Sequence, residues 1–270
     1  MQMNIALTPP PALQRSRGAA SVGLGPGGRL RRLAQSGSAR AIVLPADEGP
    51  EVVYLNTSGG LTSGDRLDYA LDLAAGGRAT ATTQTAERAY RATGAPARVR
   101  VDMRLGSGAH LDWLPQETIL FDASRLQRRT RIELAEGATC LAVESVILGR
   151  AAMGESVRDL AFDDHRQIHR AGQPVVLEPL RLRSAALDAP AALHGARAFA
   201  SLVLVAPGAE DALAPVRAAL AEPGVTGAAS GWDGRLMVRL MAMDGWPLRR
   251  QILRLLALLR HGRLPRVWQE

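Results

Sequence analysis

Seven acids, Asp65, Asp112, Glu117, Asp122, Glu144, Glu155 and Glu178, stand inside or beside apolar strands and glycine turns, where an unpaired carboxylate is costly. Three kinds of chemistry fit them. Glu117 and Asp122, close together in WLPQETILFD (residues 113–122), could act as acid and base in a β-helix polysaccharide lyase or hydrolase. Several acids facing one interior would instead line a hydrated passage whose oxygen ligands hold a divalent transition ion weakly enough to let it move. The plain alternative is ion pairing, Glu144 or Glu155 with Arg150 and Glu178 with Arg181. His165 and His169, behind Asp163 and Asp164, would share a metal only on a helix. The strand that FDDHRQIHRAGQPVV suggests holds residues four apart ~13 Å from each other.

Other chemistry is excluded more directly. All 33 basic residues are Arg, so GxxxxGK[ST] cannot occur, and GxSxG and HExxH are absent. Gly23, Gly25 and Gly28 spell GxGxxG, but with no strand before and no helix after they read as a loop. The single cysteine, Cys140, sits in an apolar run and reads as a buried, inert thiol in a reducing compartment. The net charge of +7 comes from scattered arginines, aromatics are 4%, and no Arg run exceeds two residues, which argues against nucleic acid as a partner. No secretory leader or membrane span is evident, and a cytoplasmic protein is expected.

The elements that must position the acids are mainly strands. LDYALDLAAGGRATATT, VRVDMRLGSGAHLDWL and TRIELAEGATCLAVESVIL each read as strand, glycine turn, strand, with turn glycines Gly77, Gly108 and Gly137 spaced 31 and 29 residues apart. A weaker copy around Gly49 precedes them. The period predicts a β-helix-like, solenoid-like stack; a meander of hairpins is the alternative. Two helices are predicted in the C-terminal third, at residues 210–220 and, more strongly, at residues 247–261 (PLRRQILRLLALLRH). Its broad apolar face belongs in the core or against a partner. Residues 1–27 are expected to form a mobile arm and residues 28–270 a single domain, with a possible division near 185–192.

Four ordered blocks, SGGLTSGDRL (58–67), TTQTAERAYR (82–91), WLPQETILFD and ESVILGRAAMGE (144–155), with LPRVW at 264–268, resemble the urease accessory protein family UreD (also called UreH). The resemblance runs from about Gly28 onward. It implies a non-enzymatic scaffold that binds apo-urease (UreABC), recruits UreF and UreG, and carries Ni(II) as transient cargo with no tightly bound cofactor. Carried over, the family positions fall on Gly59, Gly60, Gly64, Asp65, Thr82, Thr83, Tyr90, Trp113, Pro115, Gln116, Glu117, Asp122, Glu144, Gly149, Arg150, Gly154 and Glu155. Glu178 resembles a further family acid. The candidate transit path is Asp65, Glu117, Asp122, Glu144, Glu155 and Glu178.

Overall fold

A computed structural model describes residues 14–260 and 262–269. β1 (Arg17–Leu24), β2 (Leu30–Gly37), β3 (Ala39–Leu44) and β4 (Glu51–Asn56) open the chain. Coils follow: β5 (Arg66–Leu73), β6 (Arg78–Thr83) and β7 (Glu87–Ala89); then β8 (Ala97–Leu105), β9 (His110–Trp113) and β10 (Thr118–Leu120); then β11 (Ser124–Leu134) and β12 (Thr139–Leu148). β13 (Leu160–Arg170) completes the stack and β14 (Gln173–Arg183) turns back against it. β15 (Ala198–Val205), α1 (Leu213–Ala219), β16 (Val225–Trp232), β17 (Arg235–Ala242) and α2 (Gly245–Leu259) finish the fold.

The solenoid-like expectation holds. One sheet runs β14-β13-β11-β8-β5-β1-β2, and its members from β1 to β13 pair in parallel. The second runs β16-β17-β15-β12-β9-β6-β4-β3, parallel from β4 to β12. The short β7 and β10 stack in parallel beside the end of β12 as a third side. Alternation explains the first sheet: β8 buries Val99, Val101, Met103 and Leu105 and exposes Arg98, Arg100 and Arg104. Each turn needs one residue in the left-handed region, which glycine adopts without steric cost: Gly76 at φ 65°, Gly108 at 63° and Gly137 at 67°. In the first of these turns the left-handed residue is Gly76, not Gly77. The turns stack on one another, Gly76 N donating to Ser107 O at 2.8 Å and Gly108 N to Glu136 O at 2.9 Å.

Two expectations change. Arg17–Leu24 is a strand paired on both sides, so the proposed arm does not reach Gly28; residues 1–13 of it lie outside the described residues. The copy around Gly49 is no coil, because β3 and β4 pair antiparallel. Residues 185–192 lie where the chain passes from β14 in the first sheet to β15 in the second.

The second sheet is covered on both faces. The coil interior lies on one side, and α1, α2 and the 266–268 turn pack on the other through Leu248, Ile252, Leu255, Leu256 and Trp268. This is why β12 and β15 read as continuous apolar runs rather than alternating ones. α2 starts earlier than expected, at Gly245, because Asp244 caps it by accepting from Trp246 N at 2.8 Å. Its broad apolar face goes into the core, with Leu258 left exposed. His261, expected in its last turn, lies outside the described residues. The second helical stretch begins as a 3₁₀ turn over Ala209–Ala212 and becomes α-helical only at Leu213.

On β7, burial pushes the Glu87 carboxyl up to about 7 against hydrogen bonds from Asn56 and the Arg88 amide. A raised folded value means that the folded protein holds this proton more tightly than the unfolded chain. Stability therefore falls as pH rises from about 4.5 to about 7, by no more than about 3 kcal/mol. Urea denaturation across that range is expected to show the fall in the native chain and a flatter profile in Glu87→Gln.

Candidate functional site

The alternation of β11 turns Leu126, Arg128, Thr130, Ile132 and Leu134 inward, so a guanidinium enters the coil interior. Arg128 answers its own desolvation with two acids. Its Nε and Nη2 donate to Asp164 on β13 at 3.0 and 2.8 Å, and its Nη1 lies 2.6 Å from Glu144 on β12. Nη1 also donates to Thr118 Oγ1 at 3.1 Å. Glu144 accepts from Trp113 Nε1 at 3.0 Å and Thr130 Oγ1 at 3.2 Å. Burial alone would raise the Asp164 carboxyl, but the Arg128 guanidinium outweighs it and holds Asp164 below the usual carboxylate range.

The network continues along β13 and β14. Arg166 lies 3.4 Å from Asp164 and 3.6 Å from Glu178, and Glu178 also accepts from Ser201 Oγ at 2.9 Å and Arg239 Nε at 3.1 Å. Three acids, Glu144, Asp164 and Glu178, thus stand against three arginines, 128, 166 and 239. Glu178, Arg166 and Ser201 line the floor of an open groove of about 490 Å³ walled by Leu180, Leu193 and Phe199. The same three residues, with Glu144, Thr130 and Trp113, line an inner cavity of about 20 Å³, which is the size of one water. The groove and the inner cavity thus share Arg166, Glu178 and Ser201 in their linings, and Glu144 borders the inner one.

The other expected site acids lie elsewhere. Asp65 accepts from Ser16 N and Thr62 N, both at 2.8 Å, and ties the first strand to a glycine loop. Asp122 accepts from Arg158 N and Asp159 N at 2.7 and 3.0 Å, and these backbone donors, the Asp159 amide foremost, hold its carboxyl low. Glu155 accepts from Asp122 N and Arg150 N, and Arg150 Nε, donating at 2.8 Å, outweighs burial and lowers it. These three brace loops. Glu117 lies 3.9 Å from Arg249 in a cleft of about 340 Å³ that Asp122 does not line, so the two carboxylates of the hydrolase reading share no site. Of the expected pairs only Glu155 with Arg150 forms: Glu144 takes Arg128, and Glu178 takes Arg166 and Arg239. Asp112 joins none of these; burial would raise it, but His110 and Arg260 hold it low. His165 and His169 lie on strand β13, and no three His, Cys, Asp or Glu side chains converge on a metal position among the described residues. Burial pushes the Cys140 thiol up to about 12, an inert state.

The remaining motif positions make packing and hydrogen-bond contacts within the fold. Tyr90 packs edge-on against Phe121 at 4.9 Å and leaves no room for a Cβ on Gly60, which holds φ 144°. Gly59, Gly64, Gly149 and Gly154 likewise take positive φ. Arg150 lies over the Phe121 ring at 4.7 Å. Thr82 Oγ1 donates to Leu114 O at 2.6 Å, and Thr83 Oγ1 accepts from Gln116 N at 2.9 Å. Around the buried Pro115, the WLPQ block holds the chain end: Trp268 Nε1 donates to Leu114 O at 2.8 Å and Gln116 Nε2 to Val267 O at 3.2 Å. Gln116 also accepts from Arg249 Nη1 at 2.9 Å, and Arg249 covers the Trp268 ring at 4.7 Å.

Asp164→Asn leaves half of a buried guanidinium without its counter-charge, and a loss of about 3–5 kcal/mol in denaturant unfolding is expected. In the native chain the depressed Asp164 value stabilises the fold above the unfolded carboxylate range. That stability is lost as pH falls through the folded value, and Asp164→Asn should flatten this acid limb.

Comparison with known proteins matches this sequence to one family. The model of the family described as UreD urease accessory protein matches residues 16–269. The urease accessory protein UreD of Cereibacter sphaeroides is 60% identical over 98% of this chain and 99% of its own length. That of Paracoccus denitrificans is 58% identical over 96% and 94%, and that of a Jannaschia species 48% over 96% and 97%. A family match over nearly the whole chain, joined to relatives of such identity, places this chain in the UreD family of urease accessory proteins.

Proposed function

We propose that this chain is a non-enzymatic metallochaperone scaffold that binds apo-urease, recruits UreF and UreG, and passes Ni(II) through its interior toward the urease active site in the cytoplasm. The observation that carries the reading is that a groove open to solvent and a water-sized inner cavity share Glu178 in their linings, with Glu144 bordering the inner one. Oxygen ligands suit passage, because they hold Ni(II) more weakly than thiolate or clustered imidazole and exchange quickly. Of the proposed path acids, Glu178 and Glu144 lie on the interior route and Glu117 near the surface beside α2, while Asp65, Asp122 and Glu155 support loops.

The test is urease activity and urease-bound nickel in cells carrying the cognate urease and accessory genes, with and without this chain. Urease that accumulates without nickel only when the chain is missing is the expected result; unchanged activity overturns the reading. Glu178→Gln keeps its shape and its Ser201 contact and is expected to cut nickel loading about tenfold while the chain accumulates normally. Full loading by that variant would leave an adaptor that brings proteins together without touching nickel. The glycosidase alternative predicts polysaccharide cleavage lost in Glu117→Gln, and the separate surroundings of Glu117 and Asp122 argue against it.

A further inference from the structure

The first sheet turns its outer face to solvent, and two columns of that face carry charge that the interior path does not use. Parallel register sets Arg66 beside Arg98 and Arg98 beside Gln127. The next outward column sets Asp68 beside Arg100, Arg100 beside Arg129 and Arg129 beside His165. Neighbours in such a ladder lie about 4.8 Å apart, and like charges at that spacing oppose folding. Local compensation is partial: Asp68 stands beside Arg100 in the ladder, and Asp102 lies 3.9 Å from Arg100. Asp163 is engaged by Arg183 at 2.8 Å and by Arg181 at 3.5 Å, and Arg98 donates only to neutral Gln127 at 3.3 Å. Among the described residues the Arg66 and Arg129 side chains make no hydrogen bond or ion pair. The two columns wall a cleft of about 500 Å³ in which five outward arginines face two aspartates.

We propose that this cleft binds an oligophosphate chain, the chemistry shared by inorganic di- and triphosphate and by nucleoside di- and triphosphates. Guanidinium forks pair bidentately with phosphate oxygens, and a row of them spaced by one strand matches a row of phosphates. A lone carboxylate would leave most of the excess charge unmatched, whereas each phosphate group brings between about one and two negative charges. The lining contains no Phe, Tyr or Trp on which a base could stack, so the phosphate chain is the recognised part. The site stands apart from the nickel reading and survives its failure: outward side chains supply its free charge, with the buried Val99 and Arg128 at its floor, while Glu144 and Glu178 face inward.

Calorimetric titration of the full chain with sodium tripolyphosphate, with ATP and with a glutamate-rich peptide tests the assignment. Tripolyphosphate is expected to bind saturably, ATP with comparable affinity, and both more weakly as salt rises. Arg100→Gln combined with Arg129→Gln should weaken binding about tenfold or more with the circular dichroism spectrum unchanged; Arg98→Gln alone should weaken it less. Arg32→Gln with Arg104→Gln, which sit beside Asp72 outside the cleft, should leave binding as it was. Absence of saturable tripolyphosphate binding up to about 1 mM overturns the proposal. So does binding that survives the Arg100 and Arg129 substitutions, or capture of the acidic peptide in preference to tripolyphosphate. ATP binding far tighter than tripolyphosphate would move recognition to the base and overturn it as well.

Discussion

The interaction on which the architecture turns is the burial of Arg128. A guanidinium cannot be neutralised at any accessible pH, so once β11 carries it inside, the surrounding strands must supply charge. Asp164 comes from the next coil of the first sheet and Glu144 from the second sheet. Glu144 then orients Trp113 on β9 and Thr130 on β11. One buried cation thus ties both sheets across the interior. Ion pairs of this kind add little net stability over an apolar core, and their effect here is on register. A one-residue slip of β11 would carry Arg128, Leu126 and Ile132 to the solvent face and break the pairs that Asp164 and Glu144 make with Arg128, so the alternative pairing is penalised several times over.

A second set of constraints acts at the loops. A coil that closes in about thirty residues must turn sharply, and the glycines at positive φ, the carboxylates capping backbone amides and the Tyr90–Phe121–Arg150 stack all serve that turning. This accounts for motif acids that stand away from the inner cavity. Asp65, Asp122 and Glu155 each accept from at least two backbone amides, which is what a loop with no repeating ladder needs if its donors are to be satisfied. The chain end is held by the same logic, with Trp268 inserted under Arg249 and bonded to Leu114.

The stack was legible because glycine turns recur at a near-constant spacing and the strands between them alternate. α2 was legible because leucines recur on one face, although its first turn depends on an Asp244 cap that the periodicity does not report. Arg128 and Asp164, the centre of the interior network, were overlooked. The signal was present: SRLQRRTRIEL alternates, so Arg128 occupies the same parity as Leu126 and Ile132, and Asp164 shares parity with Leu160 and Phe162. What masked it was the density of arginine in β11, where outward and inward cations look alike until register is known. Pairing partners were harder still. Glu178 meets Arg239, 61 residues away and in the other sheet, a contact that no local spacing encodes.

Charge balance bears directly on how a cation would travel. Glu178, Glu144 and Asp164 are already neutralised by arginines, so an entering divalent ion must displace a guanidinium rather than fill an empty negative site. The displacement costs differ along the path. Arg239 is 70% exposed and can swing into water when its carboxylate turns to an ion. Arg128, 7% exposed, has nowhere to go, and an ion beside Glu144 would have to share the carboxylate with it. On the proposed reading an ion would be accepted most readily at the groove floor and held least tightly farther in. Such a gradient would disfavour storage, and in that reading the buried arginine would do more than set register, since it would keep the inner acids from becoming a trap.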